Sequence, residues 1–200
     1  MSLDEQTRGH IESILDSDRV VLFMKGTRQF PQCGFSAAAA GIVDRLIPEY
    51  TTVNVLEDEN IRQGIKEYAD WPTIPQLYIE KEFVGGTDLV QEMFESGELH
   101  KLMGVTVPDP ETPAIQVSDE AAELVREAMR NHPGQCLHLT VDARGDARLQ
   151  LGPENQNALK VEAAGLDIYL DPLSASRADG LMVELADSPQ GQGLKIHRPG

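Results

Sequence analysis

The apolar run Val20-Val21-Leu22-Phe23, set off by Asp18 and Arg19 and followed by Cys33 and an alanine-rich stretch over 37–47, leaves this chain few ways to begin folding. The run predicts a buried strand, and 37–47 predicts a helix. Cys33 therefore falls where a strand-to-helix loop meets a helix N-terminus. Unpaired backbone N–H groups and the helix dipole favour an anion there, which lowers a thiol's pKa and populates the thiolate. Lys25, at the end of the strand, adds positive charge on the same side. Three residues beyond Cys33 stands Ser36, where a dithiol site needs a second cysteine. With no local disulfide partner, Cys33 must exchange with an external thiol or ligate a metal.

Four stretches then occur in order: Lys25-Gly26-Thr27, Phe30-Pro31-Gln32-Cys33-Gly34-Phe35-Ser36, Trp71-Pro72-Thr73-Ile74-Pro75-Gln76-Leu77 and Gly85-Gly86-Thr87-Asp88. Together, over residues 11–103, they resemble the monothiol glutaredoxins of the Cys-Gly-Phe-Ser type. One position departs from the pattern, Thr87 standing where the family usually has cysteine. The resemblance implies a thioredoxin-like α/β fold, a mixed four-stranded sheet with helices on both faces. It also implies glutathione and a [2Fe–2S] cluster as cofactors. Cys33 is then the catalytic and metal-ligating thiol, and Lys25, Arg62, Ile74, Gly86, Thr87 and Asp88 join it in the binding groove. Arg62 would hold a glutathione carboxylate, Ile74 would offer its backbone to an extended thiol peptide, and the matching proline, Pro75, is cis in such folds. The cluster wants four ligands, which two copies of Cys33 and two glutathiones supply, so a cluster-bridged homodimer is implied. Iron–sulfur recipient proteins and BolA-type proteins are the implied partners. The rival function is a monothiol oxidoreductase, in which Cys33 takes glutathione from a protein mixed disulfide and a second glutathione resolves it. The insertion 27–30 ahead of the cysteine belongs to the weakly reductive subgroup, which favours cluster work.

Taken in order, 4–15 carries Ile11, Ile14 and Leu15 at helical spacing and predicts an amphipathic helix. Pro48 stops the helix after Cys33, and 50–56 predicts a strand. Asp58 caps a helix with Ile61, Ile65 and Tyr68 on one face. Arg62 and Lys66 lie one turn apart on another face, a spacing that by itself describes a solvated surface. Glu80-Lys81-Glu82 predicts a tight turn between strands 76–79 and 83–84. Gly85-Gly86 permits close backbone approach before a helix beginning at Thr87 or Asp88, with Val90, Met93, Phe94 and Leu102 inward. A free helix N-terminus of this kind binds carboxylates.

A domain at 1–104 is followed by a proline- and acid-rich segment, 105–113, that predicts a stiff linker. Beyond it, Ile115 and Val117 predict a short strand, and Ser118-Asp119-Glu120 opens a helix with Ala121, Ala122, Val125 and Met129 inward. β-like runs come after it at 136–141, 147–151, 159–161, 166–170, 181–185 and 193–197. A compact β-rich α+β domain over 114–200 results. Ile115-Gln116-Val117-Ser118-Asp119-Glu120-Ala121-Ala122, with Leu170-Asp171-Pro172-Leu173-Ser174 and Leu181-Met182-Val183-Glu184, resembles the A-type iron–sulfur carrier (HesB-like) domain. That family binds metal through three cysteines that this half does not have. Cys136 falls too early for the first of them and reads as a packing residue of its strand. The resemblance thus implies a HesB-like domain without metal, used in recognition or assembly.

The 33 acidic against 17 basic residues give a formal charge of −16, which argues against nucleic acid or an anionic membrane as partner. No run approaches the roughly 18 apolar residues of a spanning helix. The polar opening Met-Ser-Leu-Asp-Glu-Gln is unlike a targeting segment, and two cysteines do not make a disulfide framework. A cytoplasmic setting is the expectation. The five histidines are scattered singly, without metal-ligand spacing.

Overall fold

A computed structural model describes residues 3–107, 111–155, 158–188 and 191–199. The chain forms two compact units, Met1–Thr106 and Val107–Gly200. Of the linker segment, 108–110 lie outside the described residues.

The first unit is built around β1 (Val20–Met24), every residue of which is buried. A strand buried on both faces needs cover on both faces, and the sequence supplies four amphipathic segments for it. β1 lies between β2 (Thr51–Asn54), parallel to it, and β3 (Gln76–Ile79), antiparallel, with β4 (Glu82–Gly85) at the edge; the order is β2-β1-β3-β4. On one face, α1 (Glu5–Leu15) and α3 (Glu59–Tyr68) close a core of Ile11, Leu15, Val21, Phe23, Ile61, Ile65 and Tyr78. α2 (Gly34–Leu46) and α4 (Thr87–Glu95) pack together, supplying the buried Ala39, Ile42, Val43, Leu46 and Val90. This is the mixed sheet and helix arrangement of the thioredoxin-like fold. Side-chain caps start the first and third helices: Asp4 accepts from the Thr7 amide at 2.9 Å, and Asp58 from those of Asn60 and Ile61.

Three local expectations for this unit are corrected. The β3–β4 turn is Glu80-Lys81 alone, both at positive φ as a two-residue hairpin loop of this hand requires, and Glu82 pairs with Ile79 in the sheet. β2 ends at Asn54, where the chain turns and the side chain folds back on the backbone: its Oδ1 accepts from the backbone N–H of Leu56 and of Gly26. The helix after Gly86 is broken by Gly97 at φ 78. α5 (Glu98–Met103) therefore starts in a new phase, burying Leu99 and Met103 and leaving Leu102 43% exposed.

The second unit holds two sheets. In one, β5 (Ile115–Val117) runs parallel to β10 (Leu181–Ser188), which pairs antiparallel with β11 (Gly191–His197). The other has the order β7-β6-β9-β8, from β7 (Ala147–Gly152), β6 (Cys136–Val141), β9 (Leu166–Leu170) and β8 (Leu159–Ala163). α6 (Asp119–Arg130), capped by Ser118, packs Ala122 and Val125 into a core with Leu137, Leu139, Val141, Ile168 and Leu181. A further helix, α7 (Pro172–Arg177), was not expected, although its start is written in Asp171-Pro172: the Asp171 carboxylate caps the Leu173 and Ser174 amides and proline suits the first helical position. Cys136 is not a core packing residue. It is half-buried on the face of β6 opposite Leu137, Leu139 and Val141, because side chains alternate across a strand.

Candidate functional site

Cys33 is the N-cap of α2, with extended backbone (φ −153°, ψ 134°) and a half-buried side chain. The sulfur closes no side-chain cap hydrogen bond of its own, but the first turn of amides bears on it. Its pKa is lowered from the ordinary thiol value, chiefly by the Ser36 backbone N–H, then by that of Phe35, the charge of Lys25 and the Ser36 hydroxyl; partial burial opposes them.

Ser36 is fully buried. Its Oγ accepts the Lys25 backbone N–H at 3.0 Å, joining the end of β1 to the start of α2. The intervening loop is folded back on itself: Gln32 N–H donates to Lys25 O, and Thr27 N–H to Phe30 O. Gly26 makes this fold possible. It sits at φ +86°, and a Cβ there would lie 2.5 Å from Phe30 O and 2.6 Å from the Gln32 nitrogen. The Arg28 guanidinium lies over the Tyr50 ring, 4.3 Å from its centroid, and pairs with Asp44 on α2, which anchors the insertion. Phe30 and Phe35 are left 79% and 64% exposed on either side of Cys33 in the chain.

Beside the thiol opens a cavity of about 480 Å³, within the range of small-molecule sites. All seven sequence-derived site residues, Lys25, Cys33, Arg62, Ile74, Gly86, Thr87 and Asp88, line it. Ile74 precedes a cis peptide bond to Pro75. Its side chain belongs to the core, so its main chain is what it offers the cavity. Gly86 is the N-cap of α4 and gives that helix no side-chain cap. Thr87 is the first helical residue, and its hydroxyl donates to Phe35 O at 3.1 Å, tying the start of α4 to the first turn of α2. The resemblance assigns this position to cysteine; here its oxygen braces the groove.

Lys66, Trp71, Phe35, Thr73 and Leu89 also line the cavity. Lys66 lies one turn from Arg62, and α3 turns both toward the cavity, so the reading of a solvated surface is corrected for this pair. The spacing carried that signal; what it lacked was the loop 71–75 that forms the facing wall. Gln76, fully buried, holds this loop: its Nε2 donates to the carbonyls of Trp71 and Thr73, and its Oε1 accepts from the Tyr78 hydroxyl. Burial raises the Tyr78 pKa, keeping that hydroxyl protonated as a donor.

The walls carry three cations, Lys25, Arg62 and Lys66. Two lining nitrogens, Arg62 Nε and Trp71 Nε1, are buried without a hydrogen-bond partner. Unpaired buried donors beside cations and an uncapped helix N-terminus describe a site for an anion with carboxylate-like acceptors. Among the described residues, no three His, Cys, Asp or Glu side chains gather where they could hold a metal ion. No described helix is long and apolar enough to cross a membrane.

Residues 20–84, within the first unit, match the Glutaredoxin family model. The monothiol glutaredoxin ycf64 of Porphyra purpurea is 56% identical over 97 residues, 48% of this chain and 91% of that protein. Mitochondrial monothiol glutaredoxin-5 of Lachancea kluyveri is 52% identical over 106 residues, 50% of this chain and 73% of that protein. A ycf64-like monothiol glutaredoxin of Synechocystis is 44% identical over 105 residues, 52% of this chain and 98% of that protein. Each of these three likenesses spans about half of this chain.

Proposed function

Because this chain belongs to the monothiol glutaredoxin family, we propose that its first unit binds glutathione in the cavity beside Cys33 and, with it, holds a [2Fe–2S] cluster as cargo for delivery to other proteins. The observation that carries the reading is a single thiol, its pKa lowered by the start of α2 and by Lys25, beside a cationic cavity with two unpaired donors. Glutathione fits those donors. It is a thiol with two carboxylates, and charge-assisted hydrogen bonds from Arg62 and Lys66 and from the α4 amides suit each end. Asp88, in the first turn of α4, suits the ammonium group.

The donor set of one chain does not complete a cluster. Cys33 offers one thiolate where four ligands are wanted, so the cluster is shared by two chains and two glutathiones. When bound, it supplies exchangeable iron and sulfide, half of its ligands being diffusible. The protein's own contribution is charge: the helix start and Lys25 that lower the thiol pKa also stabilise a negatively charged assembly. Phe30 and Phe35 give the neighbourhood of Cys33 an exposed apolar face for a second copy, a BolA-type protein or a recipient.

The lowered thiol pKa also favours a second reading, deglutathionylation. The Cys33 thiolate would attack the glutathione sulfur of a protein mixed disulfide and release the protein thiolate. A second glutathione would then attack the bound glutathione sulfur, freeing Cys33 and forming glutathione disulfide. Ser36 cannot resolve the intermediate.

For the second unit we keep the HesB-like reading, with no metal and a role in recognition or assembly. Its support is the two-sheet core that packs around α6. Fusion would raise the local cluster concentration near whatever this unit binds. A reducing, glutathione-containing compartment, the cytoplasm, suits both functions. Anaerobic reconstitution with iron, sulfide and glutathione tests the main reading. The expected result is a cluster-bridged dimer that loses iron when glutathione is removed, with Cys33→Ser unable to load and Cys136→Ser loading normally. A monomer that keeps its cluster spectrum after exhaustive thiol removal would overturn it.

A further inference from the structure

We propose that the indole N–H of Trp71 is a ligand donor of this cavity and takes the γ-glutamyl carboxylate of glutathione. The inference rests on the glutathione reading above and deepens it by assigning a residue that reading leaves without a role.

Trp71 opens the connection between α3 and β3 and is fixed at both ends. Its backbone N–H donates to Lys66 O at 2.9 Å, its carbonyl accepts from Gln76 Nε2 at 3.0 Å, and its ring packs on Phe83 with centroids 5.6 Å apart. Nε1 is nevertheless buried without an acceptor, an unfavourable state that native proteins avoid unless the group serves something else.

The neighbours of Nε1 identify that use. A Cβ on Gly86 would come within 3.3 Å of it, so the indole edge lies against the N-cap residue of α4. Gly86 offers no side-chain acceptor, and the Thr87 hydroxyl is engaged with Phe35 O. The indole N–H and the first amides of α4 are therefore donors side by side in one wall, and one carboxylate satisfies them together. Arg62 Nε, the second unpaired donor, belongs to α3 and serves the other carboxylate. Glycine at 86 is part of the arrangement, since any side chain there would stand against the indole nitrogen.

The test uses the whole protein and calorimetric titration with two ligands, glutathione and 4-aminobutyryl-cysteinylglycine, which lacks only the γ-glutamyl carboxylate. Two variants remove the donor: Trp71→Phe, and biosynthetic replacement of tryptophan by benzothienylalanine, which keeps the ring's size and shape. Trp71 is the chain's one tryptophan, so the second replacement touches nothing else and serves where Trp71→Phe folds poorly. Each variant is expected to bind glutathione roughly tenfold more weakly, as loss of a hydrogen bond to a charged group predicts, and to bind the decarboxylated ligand as the wild type does. Unchanged glutathione affinity in the benzothienyl protein, or an equal loss on both ligands, would overturn the inference and leave Trp71 as packing. Wild-type protein that binds neither ligand would overturn the glutathione reading beneath it.

Discussion

Ser36→Ala separates two jobs that the structure gives to one residue. The backbone N–H of Ser36 is the largest influence lowering the Cys33 pKa, whereas its hydroxyl is a minor one. That hydroxyl is also fully buried and accepts the Lys25 N–H at 3.0 Å. Alanine keeps the amide and the helix start but leaves the Lys25 N–H with nothing to bond. An unsatisfied donor of this kind costs about 1–3 kcal/mol, and the volume lost is that of one oxygen, so the cavity contribution is small. With a urea m-value of about 1.5 kcal/mol/M, the unfolding midpoint should fall by roughly 0.7–2 M. Trp71 fluorescence is the probe, because the chain's one tryptophan lies in the first unit and reports that unit alone. The thiol's pKa is followed in parallel as the pH dependence of Cys33 alkylation, with peptide mapping to set Cys136 aside. It should rise slightly and stay below the ordinary thiol value. A midpoint unchanged within 0.3 M, roughly the scatter of such fits, would mean that the Lys25–Ser36 bond contributes nothing. A thiol returned to its ordinary pKa would mean that the hydroxyl, not the helix amides, holds the thiolate.

The lowered pKa of Cys33 has a linked consequence for stability. A group whose folded-state pKa is depressed adds stability that is present above its unfolded pKa, near 9.0, and is lost as pH falls through the lower folded value. Unfolding midpoints of the first unit should therefore rise across that window relative to Cys33→Ser, and parallel profiles would refute the linkage. Arg62→Ala should weaken glutathione binding about tenfold or more, and Lys66→Ala by less, since Arg62 carries the unpaired buried nitrogen; calorimetry that finds Arg62→Ala unaltered removes it from the site. Gly26→Ala must push its Cβ into the backbone of Phe30 and Gln32, so it should destabilise the first unit by more than about 1 kcal/mol and slow Cys33 alkylation, and wild-type stability would show that the loop has another way to close.

The sequence by itself determined the features that depend on neighbours along the chain. A cysteine ahead of an alanine-rich helix must sit at that helix's start, Asp58 must cap the helix that begins beside it, Ser118 must open the helix that follows it, and the uninterrupted apolar run 20–23 reads as a buried strand. These features come from backbone hydrogen bonding and side-chain period, which local sequence sets. Several features were legible to within a residue or two and no better: the hairpin turn, the end of β2, and the phase of the helix after Gly97. Each was decided by one contact or one positive φ that pattern alone does not weigh. Tertiary structure alone decided the rest. Lys66 and Trp71 became cavity walls because α3 and the loop 71–75 fold around one opening, with Gln76 and Tyr78 pinning the loop from beneath. The donors in the groove come from β1, the two helix starts, α3 and the loop before β3. Their convergence on one cavity is a property of packing, as is the burial that leaves the Trp71 indole N–H without an acceptor.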